Sequence, residues 1–227
     1  MSATLKVLAA LLHYPDERLQ QAAGELVEAL DGEALLTGSQ RAAVVGFIER
    51  LRGGELLALQ AEYVDTFDRG RARSLHIYEH LHGESRARGQ AMVELKRLYQ
   101  AQGLGIGLPE LPDYLPLFLE FLSLQPLEEA LGWLEQIGGI LQLLHARLAE
   151  RASPYAALLE PLVRLAGERP GDAGLRDRVA RESADDTPAA LDRVWRESPV
   201  TFGPEYAAPG DRRPAVAPVQ WMPPHES

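Results

Sequence analysis

The stretch LEEALGWLEQIGGILQLLHARLAE, residues 127–150, places Leu127, Leu131, Leu134, Ile137, Leu141, Leu144 and Leu148 at steps of three and four. Such steps return to one face of a helix with a period of 3.6 residues, whereas the buried positions of a strand would alternate. One continuous amphipathic helix is therefore predicted over residues 127–150. The same spacing recurs along most of the chain. Leu5, Leu8 and Leu12 mark a helix near residues 4–14, closed by Pro15, which cannot continue the hydrogen-bond ladder and disfavours helix at Tyr14. Asp16 is placed to cap a second helix ending at Asp31-Gly32, and Ser39 a third ending at Gly53-Gly54. Leu56, Leu59, Tyr63 and Phe67 form the apolar stripe of a fourth, which leads into the turn Asp68-Arg69-Gly70.

Further along, a short helix is predicted over residues 75–81. Ser85 opens a longer one to about Gln102, with Ala91, Leu95 and Leu98 facing inward. The run GLGIG at 103–107 follows no strand and opens no helix, so it reads as a flexible link and not a dinucleotide fingerprint. Pro112 and Pro116 bracket the start of a helix over 113–123, and another runs from Pro154 to about Gly167. After Glu168 the chain turns charged around Pro170-Gly171, the mark of a loop or a weakly packed helix, before Thr187 and Pro188 form a cap and first helical position. Leu and Ala are abundant and β-branched residues sparse, which favours helix. The predicted fold class is all-α, a single-domain helical bundle over residues 1–197. Residues 198–227 carry seven prolines with little apolar periodicity and read as a flexible, disordered tail.

A chain of 227 residues suffices for one core, which at this size buries roughly 70–75% of the unfolded surface. The formal net charge of −10 disfavours nucleic acid and anionic lipid surfaces as partners. The absence of cysteine removes disulfides, thiolate metal sites and cysteine nucleophiles, and suits a reducing cytoplasm. The N-terminus lacks the cleavage-site pattern of a signal peptide, and no apolar run approaches the roughly 20 residues that span a bilayer. A soluble, cytoplasmic protein with no stable membrane association is the expectation.

Chemistry-bearing residues concentrate in YVDTFDRGRARSLHIYEHLHGESRAR, residues 63–88, which holds three histidines and five arginines. His76 and His80 are one helical turn apart, with His82, Glu79 and Glu84 nearby, and could ligate a metal. Ile77 stands where metalloprotease chemistry needs glutamate, however, and no third ligand sits at a diagnostic spacing. The alternative is a set of polar contacts on a short helix or groove wall. Arg69, Arg71, Arg73, Arg86 and Arg88 could bind phosphate through forked guanidinium donors, or pair with Asp65, Asp68, Glu79 and Glu84 in a surface network. Asp113 after Pro112 reads locally as a helix cap, and Asp185-Asp186 as favourable charge at the N-terminus of the next helix. No nucleophile elbow or phosphate-binding GK[ST] motif is present.

Residues 63–88, together with LPDYLPLFLEFLS at 111–123 and ADDTPAALDRVW at 184–195, closely resemble the signature segments of the respiratory nitrate reductase chaperones. These are the NarJ/NarW-type delta subunits, within the TorD-like redox-enzyme maturation proteins. Weaker similarity extends in order from about residue 5 to about residue 196. The resemblance implies a helical, non-catalytic assembly factor. Its partner would be the catalytic alpha subunit of nitrate reductase, whose N-terminal twin-arginine remnant it would hold during molybdenum cofactor insertion. No cofactor would be tightly bound, with at most transient contact with molybdenum cofactor. The client-peptide or cofactor-binding residues it implies are Asp68, Arg69, Gly70, Arg71, Glu79, His80, His82, Gly83, Glu84, Ser85, Arg86, Arg88, Pro112, Asp113, Tyr114 and Glu120. Tyr114 stands where related chaperones carry a histidine beside the aspartate. Alternatives are a chaperone for a dimethyl sulfoxide or trimethylamine oxide reductase, or a metal- or nucleotide-dependent hydrolase.

Overall fold

The computed structural model describes residues 1–82, 86–103, 111–187, 189, 190 and 192, and opens on a capped helix. The Ser2 hydroxyl accepts the Leu5 N–H and starts α1 (Ala3–Leu11). Leu5, Leu8 and Leu12 are wholly buried, and they meet Leu115, Leu119 and Leu122, equally buried, on α8 (Leu115–Leu124). Each such leucine contributes about 1.5–3 kcal/mol when fully removed from water, so this seam anchors the molecule. The Ser2 N–H also donates to the Ser123 carbonyl at 2.7 Å, tying the start of α1 to the end of α8.

Around this pair the chain adds α2 (Glu17–Gln21), α3 (Ala23–Asp31), α4 (Gly38–Gly53) and α5 (Leu56–Phe67), then a 3₁₀ turn at Arg71–Arg73. It continues with α6 (Ile77–His82), α7 (Arg86–Ala101), α9 (Leu127–Gln136), α10 (Gly138–Glu150), α11 (Ala156–Leu165) and α12 (Ala173–Val179). Among the described residues there is no strand, only one isolated antiparallel bridge, between His76 and Tyr114. One hydrophobic core joins α1, α4, α5, α8, α10 and α11, with an aromatic cluster of Phe47, Tyr63, Phe67 and Tyr155 at its centre. A small satellite, Ala146, Leu175 and Val179, fixes α12 against α10.

Several boundaries differ from the sequence expectation, most of them at tertiary contacts and one at a local capping box. The first helix stops at Leu11 and not residue 14, and the Leu12 carbonyl accepts the Tyr63 hydroxyl instead. The expected second helix breaks at Ala22, which lets the Gln20 amide donate to the Leu51 and Gly54 carbonyls at the end of α4. The cap of α4 is Thr37 and not Ser39: Thr37 and Gln40 form a reciprocal capping box. The helix expected over 127–150 breaks at Ile137, where Gly138 packs so closely on Ala166 and Glu168 that a Cβ would lie 3.0 Å from Glu168 Cγ. Asp113 does not cap α8, whose first turn is entered through Tyr114. Thr187 does accept the Ala190 N–H, as a cap should. Of the flexible link expected at 103–107 only Gly103, at a positive φ of 75°, is described; the rest of it and the tail at 198–227 lie outside the described residues.

Candidate functional site

The end of α5 positions the first wall of the site. Asp68 closes that helix, and Gly70 follows in extended backbone where a Cβ would lie 2.6 Å from the Asp185 carboxylate oxygens. Close approach, and not unusual backbone angles, is what excludes a side chain there. The 3₁₀ turn then points Arg73 inward, 4% exposed, with its Nε–H donating to the Thr66 carbonyl at 2.9 Å.

Arg73 is neutralised from the far end of the chain. Its guanidinium lies 3.1 Å from Asp186 and 3.7 Å from Asp185, while the Ala72 N–H donates to Asp185 at 2.6 Å. Arg151, the C-cap residue of α10, grips Asp186 with two hydrogen bonds of 2.6 and 2.9 Å. That pairing holds the Asp186 carboxyl down at about 2. Arg147 donates to the Ala72 carbonyl at 2.7 Å and to both oxygens of Glu182. The segment 182–186 is thus strapped across the 3₁₀ turn. This corrects two readings of the sequence: Asp185-Asp186 serve arginines and a backbone N–H, and Arg73 belongs to no surface network. Arg69 does pair on the surface, with Asp65 at 3.2 Å.

The second wall forms where residues 75–77 run antiparallel to 113–115. The Leu115 N–H donates to the Leu75 carbonyl at 2.8 Å and the Ile77 N–H to the Asp113 carbonyl at 2.9 Å. Asp113 is wholly buried, and its carboxylate accepts from the Tyr78 N–H at 3.2 Å and lies 3.1 Å from His76 Nδ1. A carboxylate only accepts, so Nδ1 carries the proton and Nε2 remains the ring's other polar atom. Asp113 therefore caps α6 from a distance and orients His76.

Behind this pair the Tyr99 hydroxyl donates to the Pro112 carbonyl at 2.8 Å. Tyr114 contacts the His76 ring at 5.5 Å, and its hydroxyl lies 2.7 Å from that of Tyr63. Because Tyr63 gives its proton to the Leu12 carbonyl, Tyr114 is the donor between them. Burial pushes the Tyr63 hydroxyl well above the usual phenol range. His80 turns away to donate from Nε2 to the Ser74 carbonyl at 2.8 Å, and burial lowers its pKa, keeping it neutral.

Between the walls lies a cleft of about 380 Å³, lined by Phe67, Asp68, Arg69, Gly70, Arg71, Ser74, His76, Glu79 and Asp185. Burial raises the Asp68 carboxyl, an effect opposed by the charge of His76. Five of the residues singled out from sequence, Asp68, Arg69, Gly70, Arg71 and Glu79, thus share one concavity, with Pro112, Asp113 and Tyr114 packed beside it. Glu120 does not join them and is exposed on α8. Gly83, Glu84 and Ser85 lie outside the described residues, as do the side chains of His82, Arg86 and Arg88. His76 and His80 address different partners, and among the described residues no group of three or more His, Asp or Glu stands close enough to hold a metal ion. Nor is any described helix long and apolar enough to cross a membrane. Asp185, which sequence reasoning assigned elsewhere, was signalled only by the third signature segment.

Comparison with known proteins places the chain in a family. Residues 13–160 match the family model described as nitrate reductase delta subunit. NarJ of Escherichia coli K12, a nitrate reductase molybdenum cofactor assembly chaperone, is 44% identical over 198 residues, covering 87% of this chain and 84% of NarJ. NarW of the same strain is 40% identical over 210 residues, covering 92% of this chain and 88% of NarW. The fold is shared with a crystal structure assigned as a redox enzyme maturation protein from Archaeoglobus fulgidus, at a TM-score of 0.51 and 22% identity, covering 74% of this chain and 94% of that one. With a family model matched over residues 13–160 and relatives at 40% identity or more along most of their length, the chain belongs to the nitrate reductase delta subunit family of molybdenum cofactor assembly chaperones, which are assembly factors and not catalysts.

Proposed function

We propose that this protein binds the catalytic alpha subunit of a respiratory nitrate reductase in the cytoplasm, and holds that subunit's N-terminal segment, a twin-arginine remnant, until molybdenum cofactor is inserted. The observation that carries the reading is the cleft at residues 67–79. Asp68, Glu79 and Asp185 line it beside a His76 ring fixed by buried Asp113. The lining sets these three carboxylates against the guanidinium groups of Arg69 and Arg71, and in a chain of net charge −10 that residual acidic balance favours a basic peptide over an anion. Asp68, Glu79 and His76 would meet the guest directly, while Asp113 acts through His76 because it is itself inaccessible. The molybdenum cofactor enters as the client's cargo, and its contact with the chaperone is transient.

Co-expression with the catalytic subunit, followed by purification of the chaperone, tests this directly. The full-length catalytic subunit should co-purify, and a variant of that subunit lacking its N-terminal segment should be recovered in much smaller yield. Equal recovery of both forms would refute the role given to the N-terminal segment.

A further inference from the structure

A second concavity, of about 340 Å³, opens between the end of α1 and the short helices α2 and α3. Its lining is mostly apolar, with Ala10, His13, Tyr14, Leu19, Ala22 and Leu26, and it carries one acid and one base, Asp16 and Arg18. Tyr14 is 48% exposed, a large aromatic left in water at the rim. This groove is not isolated from the cleft. The His13 ring contacts Tyr114 at 5.5 Å, Tyr114 contacts His76 at 5.5 Å, and His76 lines the cleft. All three rings are partly exposed, so they form a continuous aromatic path from one concavity to the other.

Charge specifies the occupant. Residues 16–33 hold Asp16, Glu17, Glu25, Glu28, Asp31 and Glu33 against the single base Arg18, six acids to one base and a net of −5. Asp31 is answered by Arg41 on α4, and Glu33 by the Ser2 hydroxyl and the Thr4 N–H, but Glu17, Glu25 and Glu28 are exposed on α2 and α3. An apolar floor flanked by carboxylates suits an amphipathic segment with an apolar stripe and basic flanks.

We infer that this α1–α3 groove is the apolar seat of the guest peptide, with the aromatic path leading its basic end to the cleft. The inference rests on the peptide-holding function proposed above and adds to it a second contact surface. Aromatic anchors at a rim and leucines on a floor supply affinity, while the acids supply orientation and association rate.

The test uses the intact chain and a fluorescent peptide from the N-terminus of the nitrate reductase catalytic subunit. Tyr14→Ala and Leu19→Ser should each weaken binding on the order of tenfold, with melting temperatures close to wild type for the exposed Tyr14 position. Leu57→Ser, at an exposed leucine on α5 outside both concavities, should bind as wild type does. In parallel, a photo-crosslinker on the peptide's apolar stripe should label residues 10–26 of the unmodified chain, a readout independent of variant folding. If wild type binds but both groove variants bind equally well and crosslinks fall elsewhere, the groove assignment is overturned and the peptide-holding function stands. If wild type does not bind, both fall. A dimer of wild type that Tyr14→Ala converts to monomer would assign the groove to a second copy of the chain and likewise overturn the inference.

Discussion

Arg73 carries the heaviest burden of any single residue described. Its guanidinium is removed from solvent, and the partners that balance it, Asp185 and Asp186, arrive from more than a hundred residues away. Arg73→Ala removes a buried guanidinium with its hydrogen bond to the Thr66 carbonyl and its pairing with both acids, while Asp186 keeps Arg151 and Asp185 keeps the Ala72 N–H, so it should destabilise the fold by about 2 kcal/mol in urea unfolding. The pH dependence follows from Asp186. Its carboxyl is held at about 2 against an ordinary value of 3.8, so the folded state binds its proton less readily than the unfolded chain. The stability it supplies is complete above about pH 4 and is lost as pH falls through 3.8 toward 2. Asp186→Asn should therefore be less stable than wild type at pH 7, and the gap should close over that acid window. The partnership was beyond local reading: acids before a helix cap have a sufficient local explanation, and nothing in their spacing points to an arginine at position 73.

At the scale of elements, apolar spacing located the helices well because burial of one stripe is what holds them. Their ends are another matter. The break at Ile137 is invisible to periodicity because Leu134, Ile137 and Leu141 keep the same three-four steps across it, while the close approach to Gly138 is made by Ala166 and Glu168 in the turn that follows α11. The end of α1 is likewise set by Tyr63 reaching the Leu12 carbonyl. The α4 cap was legible, since Thr37 and Gln40 have the box spacing, and it discriminates cleanly between two candidates. Thr37→Ala should cost about 1 kcal/mol in thermal or urea unfolding, and Ser39→Ala no more than about 0.5 kcal/mol. Equal costs would restore Ser39 as cap. The cleft shows the same division. Its signature stretch stood out by composition, but the His76–Asp113 pairing joins residues 37 apart through a bridge no local pattern announces.

For the whole molecule, the fold brings Asp68 and Glu79, the buried Asp113 behind His76, and Asp185 together from distant parts of the chain, and the net charge of −10 gives the molecule a long-range preference for basic partners. Steering of this kind is screened within about 10 Å at 0.1 M ionic strength, so raising salt should slow association with a basic peptide more than it speeds dissociation. Stopped-flow fluorescence separates the two rates. The central claim, that the cleft holds the N-terminal segment of the catalytic subunit, is tested most directly by calorimetric titration of that peptide into wild type and into the double variant Asp68→Asn/Glu79→Gln. The variant removes two charges from the wall with almost no change of shape. The account requires saturable one-to-one binding by wild type and affinity lowered on the order of tenfold in the variant; no binding by wild type, or equal affinity in both proteins, would contradict it.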